Sequence, residues 1–139
     1  MPADAPRPDP LVISAYLDDV DSELEAATRL AQEPPSRFAA FHLQQAAEKV
    51  IKSVRLQRGL HATNDHNLAA LIADLPDNDE WRTKLGVLAP LSAYAATCRY
   101  PSPTGRLRAA PAAVDLNHWI DRIRALAVEA RTALLPPPA

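Results

Sequence analysis

Cysteine occurs once in this chain, at Cys98. No disulfide can close within it, and a cysteine-built zinc site is excluded. Glycine is nearly as scarce, with 3 residues in 139. Tight hairpins and the phosphate-wrapping loops of P-loop and Rossmann sites depend on glycine, so β-rich folds and both kinds of nucleotide loop are disfavoured. No apolar run is long enough to span a bilayer. The opening stretch Met1–Pro10 is rich in Pro, Ala and Asp and lacks the basic-then-apolar order of a signal peptide, so a cytoplasmic location is expected. A large charge of either sign is also missing: the net charge is −2 and the pI about 6.0. Any nucleic-acid site must therefore be local. H-E-x-x-H, paired Cys/His zinc spacing and G-x-S-x-G are all absent, and no metal or cofactor is called for.

What is present is apolar, helix-forming sequence. Hydrophobic residues make up 47% of the chain, enough to rule out disorder for most of it. Residues 1–10 and 136–139 read as flexible tails, and residues 11–135 as one helical domain. The first helix is expected over about Leu11–Gln32, with Ile13, Leu17, Val20, Leu24, Ala27 and Ala31 facing the core. Asp18, Asp19, Asp21, Glu23 and Glu25 give it an acidic outer face. Pro34-Pro35 stops it and Ser36 can cap the next helix, Ser36–Arg58, which ends before Gly59. A short helix follows over about His66–Leu75, capped by Asn64 or Asp65. Glu80–Cys98 is expected to be a single helix with a core stripe of Trp81, Leu85, Leu88, Leu91, Ala95 and Cys98, kinked where Pro90 meets Gly86. The last helix spans about Ala112–Leu134, with Leu116, Ile120, Ile123, Ala127, Ala130 and Leu134 inward. The fold class is thus all-α: an antiparallel bundle of four long helices and one short one.

Three segments stand out as a candidate site. Gln45, Glu48, Lys49 and Lys52 share one stripe of the second helix, opposite Leu43, Ala46, Ala47, Val50, Ile51 and Val54. His66-Asn67-Leu68 opens the third helix, and Arg99-Tyr100-Pro101 closes the fourth. The stripe can be a solvated face with one Glu48–Lys52 pair. Glu48, His66 and Arg99 can equally form a structural ion network, or Lys49, Lys52 and Arg99 can meet a phosphate while Tyr100 stacks on a base. His42 and His118 read as ordinary helix-face residues, and Cys98 as a packing residue.

Residues 38–52, Phe-Ala-Ala-Phe-His-Leu-Gln-Gln-Ala-Ala-Glu-Lys-Val-Ile-Lys, then His66-Asn67-Leu68 and finally Arg99-Tyr100-Pro101, resemble the HEPN domain family (higher eukaryotes and prokaryotes nucleotide-binding). The resemblance implies a four- to five-helix bundle, a homodimer, nucleotide or RNA binding, and pairing with a minimal nucleotidyltransferase in a two-component or toxin–antitoxin system. HEPN ribonucleases carry R-x(4–6)-H, and no histidine follows Arg99 at that distance. Arg55 and His61 match the spacing but straddle a helix end. A binding module without catalysis is therefore the first expectation. A metal-independent ribonuclease using Arg99, His66 and His61 is the alternative, and a ligand-free dimeric scaffold the third.

Overall fold

The computed structural model of the protein describes residues 8–137. Asp9 opens the first helix, α1 (Pro10–Leu30), where its carboxylate accepts from the Leu11 N–H at 2.9 Å and Pro10 fills the first turn. Proline suits that position because its missing N–H would have no partner there anyway. Asp9 and Pro10, expected to lie in a tail over residues 1–10, thus belong to the start of the helix; residues 1–7, 138 and 139 lie outside the described part. The apolar stripe is as the spacing indicates: Ile13, Leu17, Val20, Leu24 and Ala27 are buried. The acidic face is more than solvated. Asp18 and Asp21 both accept from Arg131, at 2.8 and 2.9 Å, tying α1 to the last helix.

The second helix, α2 (Phe38–Gln57), is the axis of the molecule and packs against the first helix, the last helix and most of the segments between them. Its alanines Ala39, Ala40, Ala46 and Ala47 are fully buried and let neighbouring backbones approach closely. The Ser36 hydroxyl accepts from the Phe38 N–H at 3.2 Å. At the other end Gly59 adopts φ 77°, the Leu60 N–H donates to Arg55 O and the Gly59 N–H to Leu56 O, each at 3.0 Å. This is the Schellman closure, whose left-handed residue favours glycine. Gly59→Ala is expected to cost about 1 kcal/mol, a fall of roughly 3–5 °C in Tm by thermal melting.

The short helix α3 (Leu68–Ala73) begins later than expected, because Asn67 rather than Asn64 or Asp65 is its cap: Asn67 Oδ1 accepts from the Ala70 N–H at 3.1 Å. His66 therefore sits in the loop before the helix. Helix α4 (Glu80–Gly86) starts at Asp79, whose Oδ1 accepts from the Trp81 N–H. The single kinked helix expected over 80–98 is instead broken. After Gly86 the chain passes into a 3₁₀ segment, Ala89–Ala93, and then the single turn α5 (Tyr94–Thr97). Pro90 has no N–H for the Gly86 carbonyl and crowds it, while Gly86 has little helical preference; the chain responds by tightening into bonds such as Leu91 N–H to Leu88 O at 2.9 Å. The stripe survives the break, since Trp81, Leu85, Leu88, Leu91 and Cys98 are all buried; the Ala95 side chain lies outside what the structure describes. Helix α6 (Ala113–Leu134) buries the expected residues and Leu126 as well.

The bundle is all-helical, with no strand among the described residues. α1 runs antiparallel to α2, since Asp19 meets Lys49 while the later Glu23 meets the earlier His42, and to α6, since Asp18 meets Arg131 while the later Glu25 and Arg29 share a groove with the earlier Arg124. No helix is long and apolar enough to cross a membrane.

One half-buried pair clamps the end of α2 to the start of α4. Arg58 Nε donates to Asp79 Oδ2 at 2.6 Å and its Nη2 to Oδ1 at 3.1 Å. The Arg58 guanidinium holds the Asp79 carboxyl below the usual carboxylate range; the Trp81 N–H adds to this and burial opposes it. A depressed folded pKa stabilises the protein above the unfolded value, about pH 4, and that stabilisation is lost as the pH falls through the folded one. Asp79→Asn keeps the cap and removes the charge. The gap in Tm between the parent and this variant is expected to be largest at neutral pH and to close in strong acid.

Candidate functional site

One stripe of α2 carries Phe38, Phe41, Gln45, Glu48 and Lys52 at spacings of three and four, so they lie along one side of the helix. The loop before α3 and the end of α5 flank it. The Leu68 N–H donates to the Ser92 hydroxyl at 2.9 Å, which pins α3 to the 3₁₀ segment leading to Arg99.

Glu48 is the hub of the lower half. Its side chain is only 6% exposed, although the stripe reads from sequence as a solvated face. Oε1 accepts from the buried Gln44 at 3.3 Å and lies 2.8 Å from His66 Nδ1; Oε2 accepts from Lys52 Nζ at 3.2 Å. Gln45 supports this chain by donating to Gln44 Oε1 at 2.8 Å. A carboxylate oxygen accepts, so Nδ1 is the donor of this bond, and the His66 Nε2 has no partner among the described residues on a ring that is 64% exposed. Lys49 is occupied too, at 3.4 Å from both Asp19 and Glu23 of α1.

The upper half is different in kind. The Arg99 guanidinium stands 5.0 Å from the centre of the Phe41 ring and 5.4 Å from that of Tyr100. It has no carboxylate partner among the described residues. Rings fix a guanidinium by cation–π attraction while leaving its in-plane N–H donors open. Tyr100 is 56% exposed, so its ring also has a free face. In the turn before Arg99, burial pushes the Tyr94 phenol up, and the Asp115 carboxylate adds to the effect.

The predicted residues are thus divided. Glu48, Lys52, His66 and Gln45 come together in one network and Lys49 joins α1. Arg99 and Tyr100 form a separate cluster on Phe41, so the ion network expected of Glu48, His66 and Arg99 forms without Arg99. Phe41 and Glu48 are two turns apart, about 10 Å along the axis, so Arg99 and His66 are seated at different levels of α2. Of the Arg55–His61 pair, the buried Arg55 guanidinium donates to Leu71 O, Asp74 and the main-chain carbonyl of His61, while the His61 side chain is exposed. Sequence reasoning missed Phe41, and also His42, whose Nδ1 lies 2.8 Å from Glu23 Oε2 and whose ring meets Phe41 edge-on. Both sit inside the 38–52 block, but only a known α1–α2 pairing reveals Glu23 as the partner.

The HEPN domain model matches residues 14–129, from the first turns of α1 to near the end of α6. The chain belongs to the HEPN domain family. Among solved structures, the crystal structure of TT1696 from Thermus thermophilus superposes with a TM-score of 0.67 at 24% identity, covering 86% of this chain and 96% of that one. That likeness shows the fold of this HEPN domain. No curated protein matches it.

Proposed function

We propose that this HEPN domain is a non-catalytic binding module that takes the phosphate of a nucleotide or RNA on Arg99, with Tyr100 stacking on a base. One observation carries this reading: Arg99 is held by two rings and has no carboxylate partner among the described residues, whereas Lys49 and Lys52 are already neutralised. A guanidinium offered edge-on is suited to bidentate phosphate binding, and an exposed phenol ring to stacking. The wider setting we propose is the one the resemblance implies, a homodimer working with a minimal nucleotidyltransferase in a two-component or toxin–antitoxin system.

A ribonuclease is the second reading, favoured by the free Nε2 of His66, which Glu48 orients as a general base would need. Against it stands the seating of the two side chains on α2 residues two turns apart, His66 on Glu48 and Arg99 on Phe41. One mixture separates the two: the purified chain with labelled single-stranded RNA, followed by anisotropy and by gel. Binding with the RNA intact is the expected result. Cleavage that disappears in His66→Ala would replace the binding module with the enzyme.

A further inference from the structure

The arginine–aromatic arrangement at Arg99 is repeated one turn away on α2. The Arg37 guanidinium lies 4.6 Å from the centre of the Phe38 ring. Phe38 and Phe41 are three residues apart, so their rings are neighbours on the helix surface, with Cβ atoms about 5–6 Å apart. Phe38 is 41% exposed, and Arg37 Nε is buried with no hydrogen-bond partner. The loop after α5 adds two more cations. It folds back through the Ser102 N–H to Arg106 O bond at 2.7 Å, leaving Arg106 and Arg108 exposed; Arg108 lines an open groove of about 420 Å³ with Tyr94 and Thr97.

The charge pattern is lopsided in a way the net charge hides. Among the described residues the cations without a carboxylate partner are Arg37, Arg99, Arg106, Arg108 and, away on α6, Arg122. Residues 34–41 and 99–111 contain no Asp or Glu at all. A mononucleotide site is normally a concave pocket that encloses the ligand. Here the cations and rings line an open surface, with more than one arginine available to phosphate.

We infer that this end of the bundle is a platform for a single-stranded oligonucleotide, with Arg37–Phe38 as a second clamp beside Arg99–Phe41–Tyr100 engaging a second phosphate. The inference rests on the proposed reading that Arg99 takes a phosphate. The strand runs across the two clamps, and bases stack on the exposed rings of Phe38 and Tyr100.

The test is a salt series with the full chain, using a labelled single strand of about twelve nucleotides, and AMP as the competing probe. Each phosphate neutralised on a single strand contributes about −0.7 to the slope of log K against log salt. A slope steeper than about −1.4 is expected, with Arg37→Gln flattening it by about 0.7, weakening binding roughly three- to tenfold and leaving Tm unchanged. AMP is expected to bind at least about tenfold more weakly than the strand. If AMP matches the strand, or Arg37→Gln leaves the slope unaltered while Arg99→Gln removes binding, the second clamp is wrong and the single-phosphate site stands. If neither probe binds the parent chain, both readings fall.

Discussion

Glu48→Ala is expected to lower the stability of the domain by about 2–3 kcal/mol, roughly 6–12 °C in Tm. The carboxylate is almost fully buried, and it receives Gln44, Lys52 and His66. Its removal strands a buried amide and leaves Lys52, itself only 16% exposed, without a counter-charge. Breaking a fully buried pair costs about 3–5 kcal/mol, but His66 faces water and Lys52 can extend toward it, so the lower range applies. It also releases the loop before α3, since His66 is fastened to α2 through this carboxylate. Glu48→Gln preserves the shape but turns one acceptor into a donor facing other donors, and a smaller fall is expected. Thermal melting of the two variants beside the parent checks both the size and the order. Equal stability in all three would mean that the network contributes nothing.

Arg99→Gln is expected to do the reverse: weaken RNA binding by roughly 10- to 100-fold with Tm unchanged. Charge-assisted hydrogen bonds to phosphate are worth about 1.5–3 kcal/mol, and every 1.4 kcal/mol is tenfold in affinity. The side chain is exposed and, among the described residues, its partners are the rings of Phe41 and Tyr100. Losing it therefore removes only a modest cation–π attraction from the fold. Titration and melting of the same preparation separate the two roles. A clear loss of Tm with unchanged affinity would make Arg99 a structural residue.

The contrast between Glu48 and Arg99 also shows what the sequence can and cannot convey. Stripes such as Ile13–Leu17–Val20–Leu24 and Leu116–Ile120–Ile123 were legible because helical period and burial obey one geometric rule. Gly59 as a helix stop was legible for a local reason, its tolerance of positive φ. The break at Gly86–Pro90 is not legible in the sequence, because the choice between kink and break depends on whether neighbouring turns can absorb the lost hydrogen bond. At the site, a stripe of Gln, Glu and Lys on one helix looks solvated until α1 and the loop before α3 close over it. Burial of Glu48 is a tertiary fact, as are the pairing of His42 with Glu23 and the seat of Arg99 on Phe41. Residue types marked the right neighbourhood, but they did not reveal that its lysines are already neutralised and its arginine is not.

The most direct check is a two-dimensional NMR titration of the isotopically labelled full chain with single-stranded RNA, mapping which amides shift. Shifts centred on Phe38, Phe41, Arg99 and Tyr100 are expected, with Lys49 and Lys52 little changed. Shifts centred instead on Lys49, Lys52 and the acidic face of α1, with Arg99 silent, would contradict the proposed site.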